Sequence, residues 1–249
     1  MTRPDPDQTP YNQAKAAFAT THWSVVLAAG DHSAPGAAEA LEHLCRIYWY
    51  PIYAFVRRLG YAPHDAKDHT QGFFAHLLEK GTLSRAESEN GRFRSFLLGA
   101  LKLYLAESHR NANTQKRGGG ATIISIDAQV GEEKYQTEPV DHRTPETLYE
   151  RNWAETLLDL ALARLKTDYF TSGKNQLFER LEPYLAGKED APTYAETASA
   201  LGMSVHGVTS AIFRMRQRYG EHVREAIGET IGSPDELEKE LRLLFSALD

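Results

Sequence analysis

The sequence predicts an all-α protein built from two helical domains. Apolar residues recur at i, i+3, i+4 and i+7 through most of the chain, which is the spacing of one buried helix face. Gly, Pro and N-cap residues interrupt this pattern where predicted helices begin or end. Only residues 121–126 have the composition of an extended segment, and they lie in a stretch that is interpreted below as a linker.

Length and composition limit the classes to which the chain can belong. With 249 residues, of which 41% are hydrophobic and 25% charged, it is an ordinary globular chain of one or two domains. The longest apolar stretch, residues 48–56, is far shorter than the about 20 residues that span a membrane. The first residues are polar and Pro-rich rather than a basic-then-apolar leader, so we expect a cytosolic protein without membrane insertion. The single cysteine, Cys45, excludes an internal disulfide and a multi-thiolate zinc site.

The N-terminal half is predicted to form one helical domain. Its longest apolar stripe ends at Gly60 and contains Pro51, and we expect a kink there because proline lacks a backbone donor. The predicted segments are a disordered tail at residues 1–19 and, within a domain over residues 20–113, helices at about residues 21–29, 41–59, 63–80 and 92–111.

An acidic linker, predicted over residues 114–143, separates this domain from the second one. The linker begins with a Gly-rich stretch and continues as a polar segment with more acids than bases, a composition typical of flexible connections. Helical periodicity resumes at Thr144, which is a good N-cap because Pro145 follows at the first helical position. The second domain is predicted over residues 144–229.

The last residues, 230–249, form a separate predicted element. Ser233 to Glu236 has the pattern of a capping box, and apolar residues then follow from Leu237 at helical spacing. This amphipathic helix needs a partner surface, and we expect it to pack on the second domain.

The strongest local signal lies in the second domain. A short predicted helix at residues 193–201 stops at Gly202, and Ser204 is positioned to cap a longer helix. Two helices joined by a tight Gly-containing turn are typical of the helix-turn-helix, whose second helix enters the DNA major groove. A plain αα-hairpin with a basic flank is the alternative.

The net charge of −6 conceals two basic segments. Residues 85–117 carry seven bases and three acids, and residues 204–224 carry four bases and one acid. Two basic segments in an otherwise acidic chain indicate two places for an anion such as nucleic acid, with a solvated charged face as the alternative for each. In the first segment the aromatic residues lie mostly on the apolar stripe, so only its cations are candidates for contact.

Residues 64–80 contain further side chains that could bind a metal or a protein partner. Asp65, His69 and His76 share one helical stripe, but no further ligand completes a metal site, so none is expected. Asp68 and Gln71 are better suited to hydrogen bonding with a protein partner. No catalytic triad order, phosphate-binding Gly-rich loop or carboxylate pair is present, so we expect neither an enzyme nor a cofactor.

The order of these parts resembles that of the extracytoplasmic-function (ECF) sigma factors of bacterial RNA polymerase. The resemblance covers about residues 20–227 and is most specific from Asp65 to Phe74 and from Leu201 to Arg216. In that family the first run binds the clamp helices of the polymerase β′ subunit. The following helix and its loop capture unpaired bases of the −10 promoter element, the helix-turn-helix reads the −35 element, and the linker threads the RNA exit path.

The resemblance implies a role for each group of candidate residues. The residues implied in core polymerase binding are Asp65, Asp68, Gln71 and Phe74. Those implied at the −10 element are Arg92, Arg94, Lys102, His109, Arg110, Lys116 and Arg117. Those implied at the −35 element are Ser204, His206, Thr209, Ser210, Phe213, Arg214, Arg216 and Arg218. The implied partners are core polymerase, through its β′ clamp helices and β flap, and promoter DNA, while an anti-sigma factor is left open.

Four positions depart from the family pattern. Gly72 stands where an acidic residue is usual and His69 where an aliphatic residue is usual. In the second predicted helix of the helix-turn-helix, Thr209 and Ala211 occupy places that commonly carry Lys and Arg.

The sequence therefore predicts a cytoplasmic, nucleoid-associated sigma factor that directs promoter binding, melting and transcription initiation. The main alternative is a stand-alone helix-turn-helix regulator that does not engage polymerase. A metal-dependent enzyme and a purely protein-binding relative of sigma factors are further alternatives.

Overall fold

All regular secondary structure in the residues that the computed structural model describes is helical, which confirms the predicted all-α class. It describes residues 37–79, 93–112, 128–138, 143–185, 187, 191–231 and 234–249. In these ranges the helices are α1 (Ala37–Arg58), α2 (Pro63–Glu79), α3 (Phe93–Ala112), α4 (Ala128–Thr137), α5 (Pro145–Thr171), α6 (Asn175–Leu181), α7 (Tyr194–Leu201), α8 (Val205–Gly228) and α9 (Leu237–Leu248). Short 3-10 turns, Glu182–Tyr184 and Pro234–Glu236, follow α6 and precede α9. The predicted tail at residues 1–19, the predicted helix at residues 21–29 and the Gly-rich start of the linker at residues 118–120 lie outside the described residues.

The chain divides into two compact units, and the division differs from the predicted domains. Unit 1 comprises Met1–Thr156 and Gly228–Asp249, and unit 2 comprises Leu157–Ile227. The first part of α5, placed by sequence in the second domain, thus belongs to unit 1. So does α9, which corrects the expectation that the C-terminal helix packs on the second domain.

Helix α1 is the centre of unit 1. Every residue from 47 to 56 is buried, and a helix that is buried all round lies in the middle of a core. Pro51 lies inside the continuous helix. The Tyr48 ring meets Phe93 of α3 edge to face at 5.3 Å, and Phe55 meets Tyr149 of α5 at 6.3 Å. The core of unit 1 therefore surrounds α1, which is buried on all its sides in this stretch rather than on one apolar face only.

Part of the predicted linker is folded into unit 1. Residues Ala128–Thr137 form α4, and the buried Gly131 brings the backbone of α4 against the Trp49 ring of α1. A Cβ at position 131 would overlap that ring, so only glycine permits this approach. The prediction of a structureless linker over residues 114–143 is wrong for this segment.

Unit 2 has its own small core, to which four of its helices contribute. Leu165 of α5, Phe178 of α6, Ala198 of α7 and Ile212 of α8 are all buried in one cluster. Tyr184, in the turn after α6, donates a hydrogen bond to the Pro192 carbonyl oxygen at 2.6 Å and contacts the Thr197 hydroxyl at the same distance. These contacts fix the start of α7 on the core.

None of the helices described here is both long and apolar enough to cross a membrane.

Candidate nucleic-acid interface

The turn between α7 and α8 is set by local chemistry at three residues. The Thr193 hydroxyl accepts a hydrogen bond from the Glu196 amide at 3.3 Å, and the Glu196 carboxylate accepts one from the Thr193 amide at 2.7 Å, which completes a capping box. Gly202 ends α7 with φ +62°, in the left-handed region that favours glycine. The predicted start and stop of this helix are confirmed.

Ser204 caps the start of α8, as predicted. Its hydroxyl oxygen accepts a hydrogen bond from the Gly207 amide at 3.1 Å, which satisfies one of the donors that every helix start leaves open. Ser204 thereby has a structural task in addition to the DNA contact proposed for it. Because Gly202 ends α7 and Ser204 caps α8, the start of α8 has a fixed position, and Val205 and His206 in its first turn are exposed on the surface of unit 2.

The two faces of α8 have opposite character. Val208, Ile212 and Met215 are buried, whereas Phe213 is 69% exposed and Val205 is 47% exposed. An exposed phenylalanine of this size costs free energy in water unless something covers it. A shallow groove next to it is lined by Thr209, Ser210, Phe213 and Arg214, and His206 is exposed one turn earlier. These five side chains are among those that the family resemblance implies at the −35 element; His206, Phe213 and Arg214 are exposed, and Thr209 and Ser210 are half-buried.

The three predicted DNA-binding arginines of α8 are in different situations. Arg214 is exposed beside the groove. The Arg216 guanidinium donates a hydrogen bond to the Tyr184 carbonyl oxygen at 2.7 Å, so it connects α8 to the turn after α6. Arg218 donates to Asp168 and to Glu221, both at 3.0 Å. Arg216 and Arg218 therefore also hold unit 2 together.

Sequence reasoning missed a cluster of charged groups on the later part of α8. The His222 ring is buried, with one nitrogen 2.8 Å from the Asp168 carboxylate and the other 2.8 Å from Glu225. Burial by itself would raise the pKa of Asp168, but hydrogen bonds from His222 and Arg218 outweigh it and hold that pKa below its ordinary value. The spacing of Arg218 and His222, four residues apart on one face, was the available signal.

In unit 1, Arg94 is not available as a surface cation. Its side chain is 4% exposed and forms ion pairs with Glu150 of α5 and Glu240 of α9. The guanidinium also lies over the Trp153 ring, 4.2 Å from its centroid. The prediction that Arg94 contacts DNA is corrected, because a buried cation with two carboxylate partners and an aromatic ring is part of the core.

Lys102, His109 and Arg110 lie on the exposed part of α3. The Lys102 ammonium pairs with the Glu146 carboxylate at 2.7 Å, and both side chains are about half exposed. The His109 ring nitrogen lies 2.5 Å from the Tyr61 hydroxyl. The remaining predicted residues of this group, Arg92, Lys116 and Arg117, lie outside the described residues.

The residues implied in polymerase binding are divided between the surface and the core of unit 1. Asp65 and Asp68 are exposed on α2, Gln71 is half-buried, and Phe74 is 4% exposed. Phe74 therefore packs inside the unit, and its implied role as a surface contact is corrected. His69, on the same helix, meets the Tyr61 ring edge to face at 4.8 Å, and burial lowers the pKa of this histidine.

Metal-ligating side chains do not gather in the part of the chain that the structure describes: no three His, Cys, Asp or Glu residues there are arranged to hold an ion. No protein-family model matches the chain, no curated protein matches it, and no solved structure matches it. The functional assignment therefore depends on the surfaces described above.

Proposed function

We propose that this protein is a sigma factor that binds bacterial core RNA polymerase and directs promoter-specific transcription initiation. The observation that carries the proposal is the outward face of α8, where His206, Phe213 and Arg214 are exposed shortly after a capped, glycine-ended turn and the half-buried Thr209 lines the groove beside them. A helix presented in this way by a small rigid unit has the geometry that the DNA major groove accepts.

Each side chain on this face has a chemistry that base pairs or phosphates can use. The hydroxyls of Thr209 and Ser210 can hydrogen-bond base edges, and the Phe213 ring suits apolar contact with a thymine methyl group. Arg214 can form a bidentate contact with guanine or pair with a phosphate. Covering the 69% exposed Phe213 ring also gives the complex an apolar contribution to its free energy.

Unit 1 supplies the other two contacts of the proposal. Asp65, Asp68 and Gln71 lie on α2, with both carboxylates exposed to a protein partner. On α3, Lys102, His109 and Arg110 remain as candidates for the opened strand. The Lys102–Glu146 pair does not oppose this role, because a half-exposed ion pair contributes little and a phosphate can replace the carboxylate.

Two modest DNA contacts on one chain act together. Once the duplex is held by unit 2, the opened strand meets unit 1 at a high effective concentration, so the combined affinity exceeds that of either contact. Such a protein acts in the cytoplasm, at the nucleoid, and needs no cofactor. Because both contacts involve phosphates, affinity falls steeply with salt concentration.

The proposal is tested by in-vitro transcription with the full chain, purified core polymerase and a pool of genomic DNA fragments. The holoenzyme should start RNA chains at a small set of sites that the core enzyme alone does not select. Phe213→Ala combined with Arg214→Ala should reduce these starts by at least tenfold. Arg180→Ala, which removes an exposed arginine of α6 in the same unit, is the matched control and should keep them. Starts no more selective than those of bare core contradict the proposal.

A stand-alone DNA-binding regulator is the second candidate, and the burial of Phe74 favours it because one implied polymerase contact is thereby lost. The two candidates differ in the need for polymerase. Capture of purified core enzyme by the full chain, weakened by Asp65→Ala with Asp68→Ala, supports the sigma factor. Sequence-specific DNA binding without capture of polymerase supports the regulator.

A further inference from the structure

Helix α4 is docked on a cationic and aromatic face of α1. We call the α1 residues that it contacts the α1 face: Trp49, Tyr50, Tyr53, Arg57 and Arg58. The face combines two parallel rings, Trp49 and Tyr53 with centroids 5.0 Å apart, with two arginines one to two turns later. The proposed function gives no reason for α4, a segment of the predicted linker, to bind the α1 face.

Two carboxylates hold this face: Glu132 of α4, and Glu138, which directly follows the helix. The Glu132 carboxylate accepts hydrogen bonds from Nε and Nη2 of Arg57, both at 3.0 Å, and from the Tyr53 hydroxyl. Glu138 accepts from the Tyr50 hydroxyl and from Arg58 at 3.4 Å. Arg57 thus binds Glu132 in a bidentate manner, and a guanidinium binds a phosphate with the same geometry.

A ring of α4 lies against the same two guanidiniums. The Tyr135 ring centroid is 4.8 Å from the Arg57 guanidinium carbon and 5.4 Å from that of Arg58. Glu132 and Tyr135 are three residues apart and therefore share one side of α4. The α1 face thus holds an anion and a flat ring together, and these are the two parts that a nucleotide offers as phosphate and base.

The attachment of α4 depends little on apolar burial. Among residues 130–138, whose side chains the structure describes, only Gly131 is buried, and Val130 is 58% exposed. Apart from the Gly131 backbone against the Trp49 ring, the contacts that hold this ten-residue helix are ion pairs, hydrogen bonds and cation–π contacts, so its attachment depends on the charges of a few side chains. Burial by itself would raise the pKa of Glu132, but hydrogen bonds from Arg57, Tyr53 and Gln136 outweigh it and lower that pKa, so the contacts favour the charged carboxylate.

We propose that the α1 face is a binding site for single-stranded nucleic acid and that α4 covers it as an internal competitor. An arginine guanidinium can donate two parallel N–H hydrogen bonds to a phosphate, and its flat face can stack on a base. Neighbouring aromatic side chains offer further surfaces on which bases can stack. In the free chain the Glu132 carboxylate occupies the phosphate position and the Tyr135 ring the base position. The residues of this site belong to α1, whereas the DNA contacts of the proposed function belong to α3 and α8, so the inference goes beyond the proposed function.

The competitor model predicts that detaching α4 tightens binding. If the open state is a minor fraction of molecules, the apparent Kd is the intrinsic Kd divided by that fraction. The full chain is titrated against a fluorescently labelled oligothymidylate, with anisotropy as readout and without polymerase. Glu132→Gln with Tyr135→Ala should lower the apparent Kd about fivefold to tenfold. Adding Arg57→Gln and Arg58→Gln should abolish the gain.

Two further variants make the test specific. Glu133→Gln removes the same charge from an exposed position of α4 and should leave the Kd within twofold of wild type. Gly131→Ala detaches α4 in another way, since its Cβ would overlap the Trp49 ring, and should also tighten binding. Amide hydrogen exchange of residues 128–137 reports whether α4 is attached, and circular dichroism melting reports whether unit 1 remains folded.

Each other outcome overturns the proposal. If Glu133→Gln tightens binding as much as Glu132→Gln with Tyr135→Ala does, the gain is a general charge effect. Faster exchange of α4 without a change in Kd shows that the uncovered face does not bind a single strand, and unchanged exchange in both detaching variants shows that these contacts do not hold α4. Stronger competition by polyglutamate than by unlabelled oligothymidylate assigns the face to an acidic protein segment. None of these results affects the promoter test, which uses variants of α8.

Discussion

Gly72 of α2 and Tyr104 of α3 approach so closely that a Cβ at position 72 would overlap the tyrosine hydroxyl. The Tyr104 ring also contacts Phe73 and His76, at 5.7 and 5.3 Å between centroids. A glycine inside a helix costs about 1 kcal/mol relative to alanine, so its presence here is explained by the close approach of the two helices. The departure from the ECF sigma factor pattern at this position thus has a packing cause.

Gly72→Ala should destabilise the protein although alanine is the better helix former. Inserting a methyl group into this contact should cost about 1–3 kcal/mol. In the double variant with Tyr104→Phe the overlapping hydroxyl is gone, and the next ring atom, Cζ, would lie at an ordinary 3.5 Å from the new Cβ. Urea unfolding of wild type, both single variants and the double variant measures the coupling, and additive effects contradict the prediction.

Arg94 and Glu240 should be essential to the stability of unit 1. Glu240→Ala leaves the buried guanidinium with one carboxylate fewer, and breaking such a pair costs about 3–5 kcal/mol. Thermal unfolding followed by circular dichroism measures the loss. Glu238→Ala, which removes an exposed carboxylate from the same helix, is the control and should change stability by no more than about 0.5 kcal/mol. A small effect of Glu240→Ala would show that Arg94 is held by other contacts.

Cys45 should be chemically inert in the native chain. The thiol is fully buried in α1, and burial, together with the nearby charge of Glu42, raises its pKa to about 12. Because the thiolate is the reactive form, labelling by a thiol reagent at neutral pH should be slower in the native chain than in urea by several orders of magnitude. Rapid native labelling would show that the core of unit 1 opens readily.

The features that the sequence predicted best are those determined by local chemistry. Gly202 ends α7 and Ser204 caps α8 through neighbours within a few residues, so both roles can be deduced without the fold. Pro145 begins α5, and Thr144 accepts a hydrogen bond from the Thr147 amide at 3.3 Å. The exposed face of α8 likewise follows from the periodicity of one helix.

The features that the sequence predicted poorly depend on partners far away in the chain. Arg94 is buried because Glu240, 146 residues later, neutralises it, and no helical spacing reveals that pairing. Helix α4 has few apolar residues, and its docking depends on Glu132 meeting Arg57 across 75 residues. A polar segment of this kind has the composition of a linker until its charged partners are known.

Substitutions of two α8 arginines should affect DNA affinity and protein stability differently. Arg214→Ala should weaken binding of promoter DNA and reduce the slope of log K against log salt by about 1, with little change in stability. Arg216→Ala should in addition destabilise unit 2, because it removes the hydrogen bond to the Tyr184 carbonyl. Salt-dependent anisotropy with duplex DNA and thermal melting measure the two effects. Equal destabilisation by both substitutions would contradict the distinction.

Protonation of Asp168 at low pH should reduce the free energy of unfolding of unit 2. Its pKa is lowered from the ordinary 3.8 because hydrogen bonds from His222 and Arg218 outweigh burial. A carboxyl whose folded pKa is depressed contributes stability that is complete above the ordinary pKa and is lost as the pH falls through the lowered one. The melting temperature of wild type should therefore fall as the pH drops below 3.8, and this part of the fall should be absent in Asp168→Asn.

The matched control for this prediction is Glu179→Gln, which removes an exposed carboxylate from α6 of the same unit and should follow the wild-type pH curve. At neutral pH Asp168→Asn should already be less stable than wild type, since an amide cannot replace the ion pair with Arg218 at 3.0 Å. The curves of wild type and Asp168→Asn should then converge in acid, where the wild-type carboxyl is itself protonated. Parallel curves at all pH values would show that the carboxylate charge does not anchor α8 to α5.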